Sequence, residues 1–257
     1  MSFTNVLLRS LSSSDLSLIE PSFSTVELSL SHIVEQAGVE VESVHFVESG
    51  LLSIVSEYEA GREVEVGIIG REGFTNVGIT LGDRFAVHKT NVQIAGVAIR
   101  LPAKVLAEAM DRSQTLRRRL ALFTRALEIQ TASTASANGR ANLEERLARW
   151  LLMVQDRMDS DVLSITHEFL AQMLCCRRPG VTVGLHLLEG KGYIRSTRGR
   201  VAVMDRAGLE DASNGSYGRA EREYARLLEE DFRSLRAPGA AFKAKMQEIL
   251  SRNGRAE

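Results

Sequence analysis

The residues of this chain best suited to chemistry cluster in ITHEFLAQMLCCRRPGVTVGLHLLEGKGYI, positions 165–194, and in the basic stretch just after it. Arg177, Arg178, Lys191, Arg195, Arg198 and Arg200 are opposed only by Glu189. Cations at this density bind phosphate oxygens, and an arginine at a helix start also reaches base edges. A charge cluster alone is most often a solvated face, so the elements around it decide its meaning. Thr166 is a good N-cap for a first short helix, with Glu168 near its positive end and Leu170, Met173 and Leu174 on its inner face. In a second helix Val181, Leu185 and Leu188 recur at i, i+4 and i+7 and face the core. Gly184 beside them is expected to let the second helix approach the first. Pro179, Val183 and His186 then point outward, with Thr182 on the flank. Arg178 precedes a proline and is placed at the helix start. Residues 194–203 read as a hairpin with a basic tip. Two helices, a tight turn and a basic hairpin make a winged helix-turn-helix, whose second helix enters the DNA major groove. The candidate DNA contacts are Thr166, Arg177, Arg178, Pro179, Thr182, Val183, His186, Lys191, Arg198 and Arg200.

No second reactive centre is visible. The sequence has no G-x-S-x-G, no Walker loop and no H-E-x-x-H, so no catalytic residue is assigned and no enzyme is expected. The only cysteines, Cys175 and Cys176, are adjacent. They form no disulfide framework, fit a reducing cytoplasm, and cannot supply the roughly four thiolates of an iron–sulfur cluster. Oxidation of this pair would disturb DNA docking, but two small residues filling a turn is the preferred reading. His32, His45 and His88 are axial haem ligands only by default, and no metal site is assigned.

The elements that must position the basic cluster follow from periodicity and composition. With 257 residues and 44% hydrophobic content, two domains with separate cores are expected. The formal net charge is −1, so DNA binding has to rest on a local patch. No signal peptide or membrane-length apolar run is present, and a cytoplasmic protein without membrane association is expected. Residues 4–19 predict a leading helix. From about Thr25 to Leu101 the pattern has period two, as in Glu63-Val64-Glu65-Val66-Gly67-Ile68, where the glutamates are expected on the outer side. Glycines at turns point to an antiparallel barrel or sandwich. Pro102 opens a helical region, with a short helix over 103–110 and a longer one from about Ser113 toward Asn138. Leu116, Leu120, Phe123, Leu127, Gln130, Thr134 and Ala137 alternate at spacings of four and three, an a/d seam fit for a homodimer or for packing on the chain's own barrel. Asn138-Gly139 is a predicted break before a helix over about 142–158 that buries Leu143, Leu147, Trp150, Leu151 and Val154. Beyond Asp205 the chain is helical again, with a weak face of Tyr217, Tyr224, Leu227 and Leu228. Pro238-Gly239 precedes a last segment carrying Phe242, Met246, Ile249 and Leu250.

In this order of elements, and most specifically in Glu144-Glu145-Arg146-Leu147-Ala148-Arg149-Trp150-Leu151-Leu152 and residues 165–181, the chain resembles the Crp/Fnr family of bacterial transcription regulators. The resemblance covers nearly the whole length. It implies an α+β fold with an N-terminal antiparallel β-roll of the cyclic-nucleotide-binding kind over 1–111 and a dimerisation helix over 112–140. A winged helix-turn-helix over 141–212 and a helical extension over 213–257 complete it. It also implies a homodimer through the helix around Leu116–Ala137, double-stranded DNA with a palindromic operator, and RNA polymerase as a further partner. Recognition helices would then lie roughly 34 Å apart.

Several residues depart from the family pattern. Cys175 stands where the turn usually has glycine, Arg178 matches a position from which nucleotide-responsive members read guanine, and Pro179 and Val183 replace charged groove residues. Specificity is therefore expected from Arg178 and Arg177, with Val183 touching thymine methyls. Gly70, Arg71, Glu72 and Gly73 sit where relatives carry a phosphate-cradle loop, but Glu72 is displaced by one place. The downstream arginine–serine pair is missing, and only His88 and Lys89 remain to serve an anion there. A cyclic nucleotide is thus left open but disfavoured, and no cofactor is assigned. The competing reading is a small-molecule-binding module that acts through protein partners with a degenerate helix-turn-helix. A cupin-like enzyme ranks third because no histidine cluster exists.

Overall fold

The computed structural model describes residues 3–59 and 62–230. The predicted leading helix is in fact two, α1 (Val6–Ser10) and α2 (Ser13–Ile19). Asn5 and Ser12 cap them by accepting from Leu8 N and Asp15 N, so each polar residue starts a new helix. Five strands follow, β1 (Ser24–Leu28), β2 (Ile33–Glu35), β3 (Ser43–Glu59), β4 (Arg62–Ile69) and β5 (Lys89–Pro102). They form one antiparallel sheet in the order β1-β5-β3-β4, with β2 also on β5. Between Val47 and Leu52 the β3–β5 register shifts three times, and bulges of this kind bend long strands into a roll. Val44, Phe46, Leu52, Ile69, Phe74, Val92 and Leu101 fill its interior.

Helix α3 (Ala103–Arg112) leads into α4 (Gln114–Arg140). The predicted break at Asn138-Gly139 does not occur. A glycine in an exposed helix costs only about 1 kcal/mol, and the helix ends instead at extended Ala141. Asn142 and Glu145 then close a capping box that starts α5 (Leu143–Gln155).

The C-terminal unit comprises β6 (Val162–Leu163), α6 (His167–Met173), α7 (Arg178–Gly190), β7 (Ile194–Thr197) and β8 (Arg200–Val203), with sheet order β6-β8-β7. Leu147, Trp150, Leu151, Leu170, Val181, Leu185, Leu188 and Ile194 form its core. Helices α8 (Arg206–Ala212) and α9 (Arg219–Leu228) follow. The segment from Pro238 to Leu250 lies outside the described residues.

The structure takes one of two packing alternatives for α4 and changes one expectation for β4. The a/d seam on α4 faces its own chain: Leu116, Leu120, Phe123, Leu127, Gln130 and Ala137 are buried against the β-roll and neighbouring helices. Gln130 pairs with β4 like a strand edge, accepting from Ile68 N at 2.8 Å and donating to Ile68 O at 3.2 Å. The accessible stripe is the next one round, Ala121, Arg125, Glu128, Ala132 and Ala135, again at spacings of four and three. The glutamate side of β4 is likewise not a solvated face, because Glu65 lies buried against α5.

Candidate nucleic-acid interface and the β-roll cavity

The helix-turn-helix is built by local rules that hold in the structure. Thr166 caps α6, accepting from Phe169 N at 3.2 Å. The turn is closed by Cys176 N donating to Ala171 O at 2.9 Å and Cys175 N donating to Gln172 O at 3.1 Å. This is the Schellman pattern, which requires a left-handed residue between them. Cys175 occupies it at φ 47°, a conformation that glycine adopts without strain. Cys176 is half-buried, and that burial pushes its thiol above the usual range. A raised thiol is a poor redox sensor.

Arg177 is the extended N-cap of α7, while Arg178 already has helical geometry at its first position, with Pro179 next. Proline tolerates the first turn because its missing N–H has no partner there. Val181, Leu185 and Leu188 are fully buried. Gly184 does not serve contact with α6 as expected. A Cβ there would meet Leu147 Cδ1 at 2.4 Å, so the glycine seats α7 on α5.

The outward face of α7 carries Arg178, Pro179, Val183 and His186, all exposed, with Thr182 half-buried. Thr182 Oγ1 lies 3.0 Å from His167 Nδ1, tying α6 to α7, and burial together with Arg178 and His186 pushes His167 below its usual pKa. Val183 is 59% and Leu187 49% exposed, one helical turn apart. Leu187 was not singled out from sequence, although its spacing of four from Val183 marks it. On the hairpin Arg195, Arg198 and Arg200 are exposed, and no carboxylate forms an ion pair with them among the described residues. Lys191 differs, since its Nζ lies 2.5 Å from Glu144 Oε1 and is held to α5. Arg178 Nη1 is 3.8 Å from Glu168, a loose exposed pair.

The Gly70–Gly73 loop is placed elsewhere than expected. Arg71 and Glu72 are 3% and 1% exposed and line no anion site. Arg71 donates to Arg157 O at 2.9 Å and pairs with Asp159 at 2.7 Å. Glu72 accepts from Gly70 N and pairs with Arg157 Nε at 2.7 Å. A Cβ at Gly73 would meet the Phe123 ring at 2.0 Å, and one at Gly70 would meet Arg157 at 2.9 Å. Both glycines are therefore required by packing. Tyr224 of α9 donates to Glu72 O at 2.9 Å and closes the same contact. Lys89 Nζ pairs with Glu63.

A cavity of about 540 Å³ does lie between the β-roll and α4. His88 is the only expected ligand residue on its wall; Glu35, Ile54, Ile69, Asn76, Thr90 and Leu127 also line it. His45 is half-buried elsewhere on β3, and its desolvation lowers its pKa to about 4. Among the described residues no group of three or more His, Cys, Asp or Glu is placed to hold a metal.

The β-roll and the C-terminal unit meet at Trp150, whose Nε1 donates to Glu65 Oε1 at 2.7 Å. Ser53 Oγ also donates to Glu65, and burial pushes that carboxyl up to about 7 despite both hydrogen bonds.

Residues 145–212 match the family model for the Crp-like helix-turn-helix domain. The chain has the Crp/Fnr fold. Similar solved structures include a Crp/Fnr-family regulator from Eubacterium rectale, at 20% identity and TM-score 0.61, covering 82% of this chain and 99% of that one. FixK2 from Bradyrhizobium japonicum has 14% identity and TM-score 0.65, covering 74% and 96%. CLP of Xanthomonas campestris, described as responsive to c-di-GMP, has 16% identity and TM-score 0.61, covering 75% and 99%. No curated protein sequence matches the chain. In this fold the basic hairpin stands in the place of the wing and α7 in that of the second helix of the helix-turn-helix. No described helix is long and apolar enough to cross a membrane.

Proposed function

We propose that the protein is a sequence-specific DNA-binding transcription regulator of the Crp/Fnr type, acting as a homodimer on a palindromic operator and governed by a signal at the β-roll. The observation that carries this reading is the exposed basic face of α7 and its wing on a Crp-like helix-turn-helix domain. Arg177, Arg195, Arg198 and Arg200 suit phosphate contacts, and Thr166 offers a hydroxyl beside them. Arg178 suits a guanine edge, with Val183 against thymine methyls and Pro179, Thr182 and His186 completing the surface. Lys191, held by Glu144, contributes less. The homodimer uses the α4 stripe of Ala121, Arg125, Glu128, Ala132 and Ala135, since the predicted seam is already occupied. The alanines at 121, 132 and 135 allow two helices to approach closely, with Arg125 and Glu128 between them. Contact with RNA polymerase belongs to the same reading.

A binding-site selection with the full chain tests it. The expected result is a palindrome with half-sites one helical turn apart that loses preference at one base pair per half-site in Arg178→Ala. Recovery of no consensus would overturn it. The apolar pair Val183 and Leu187 favours a second reading, in which α7 docks a protein partner; that reading predicts no duplex binding at all.

A further inference from the structure

We infer that the β-roll cavity takes a largely apolar small molecule with a hydrogen-bond donor aimed at Glu35, and that it does not take a cyclic nucleotide or another anion. This rests on the proposal that the β-roll carries the signal, and names the chemistry of that signal. The cavity of about 540 Å³ falls within the usual range for small-molecule sites. Its wall is mainly apolar, with Ile54, Val66, Ile69, Val77 and Leu127 among its residues.

Charge decides what enters. Glu35, Asp83 and Glu128 all line the cavity against a single histidine, His88, and no lysine or arginine does so among the described residues. A phosphate would meet carboxylates with no guanidinium to offset them. The arginine that the phosphate-loop segment does possess, Arg71, is committed to Arg157 and Asp159.

One unpaired acceptor on the cavity wall, Glu35 Oε1, points to a donor. Glu35 is 7% exposed; its Oε2 accepts from Thr90 Oγ1 at 2.7 Å, while its buried Oε1 has no hydrogen-bond partner. Asn76 is 9% exposed with its Nδ2 also buried and unpaired. Buried polar atoms without partners are rare and costly. Two on the wall of one cavity, the acceptor Glu35 Oε1 and the donor Asn76 Nδ2, mark where a ligand's polar end belongs, and Glu35 sets its donor. Oε1 of an ionised Glu35 is acceptor-only, so the group that completes it is an N–H or O–H. Burial raises the Glu35 pKa although Thr90 and Thr75 oppose the shift, which makes a compensating donor more valuable.

The test titrates the full chain with indole and 4-ethylphenol, and with their donor-deleted counterparts 1-methylindole and 4-ethylanisole, by calorimetry, with cyclic AMP as the anionic probe. Loss of the donor leaves Glu35 unsatisfied, so at least one donor-bearing probe is expected to bind about tenfold or more tightly than its methylated counterpart. Cyclic AMP is expected not to bind. In Glu35→Leu the preference for the donor should vanish while apolar binding persists. The inference is overturned if neither donor probe outbinds its counterpart, if none binds, if cyclic AMP binds, or if Glu35→Leu keeps the preference. The probe comparison on the native chain needs no variant, so a folding defect in Glu35→Leu leaves the test intact. Duplex binding measured on the same sample reports the DNA reading separately.

Discussion

Two arginine-bearing segments of this chain have opposite fates. Arg71, in the Gly70–Gly73 loop, is buried with its guanidinium on Arg157 O and Asp159. Arg177 and Arg178, at the start of α7, are exposed with only a loose contact to Glu168. The residue type is the same; desolvation sets what it does. A buried guanidinium is tied to compensating partners and is structural, whereas an exposed one keeps its capacity for phosphate and base edges.

The sharpest way to break this contrast is to remove one buried and one exposed charge. Glu72→Ala removes the carboxylate that faces buried Arg157 and should destabilise the fold by about 3–5 kcal/mol in denaturant titration. Arg177→Ala should stay within about 0.5 kcal/mol, as exposed substitutions do. Equal losses would erase the distinction between the two regions.

Glu65 probes the junction between the units. Its pKa of about 7, against 4.5 unfolded, means the stability of the protonated form is complete below about pH 4.5 and is lost as pH rises through 7. Glu65→Gln keeps an acceptor for Trp150 and removes the charge. The variant should therefore gain on the native chain as pH rises from 5 to 8, by up to about 3 kcal/mol. Parallel stability curves would contradict this.

On the exposed side, Arg178→Ala should weaken operator binding by about 1–3 kcal/mol and relax one base position. An equal loss on random duplex would reassign Arg178 to phosphate. The smallest effect is at the turn. Cys175→Gly removes left-handed strain of about 1 kcal/mol and should raise the melting midpoint by about 2–4 °C. A lower midpoint would mean that the thiol itself packs usefully there.

The helix-turn-helix was legible in sequence because its signals are local. Thr166 caps its own helix, Val181, Leu185 and Leu188 repeat at helical spacing, and the basic wing follows directly. The role of Gly70–Gly73 was hidden because its determinants are distant. Arg157, which fills the space beside Gly70 and pairs with Glu72, lies 85 positions beyond Glu72. Periodicity likewise revealed that Leu116, Leu120 and Phe123 form one stripe of α4, but it carries no information on what covers that stripe. Glu35 had no sequence signal at all, since an acid in a short strand looks solvated until the surrounding wall is known.

The central claim is that exposed arginines on α7 and its wing make this Crp/Fnr-fold protein a DNA reader. Its most direct test is equilibrium binding of the full chain to a selected operator and to random duplex across a salt series. The account predicts tighter operator binding at every salt, with log affinity falling steeply and linearly in log salt on both duplexes. Absence of duplex binding, or equal affinity for the two sequences, would contradict it.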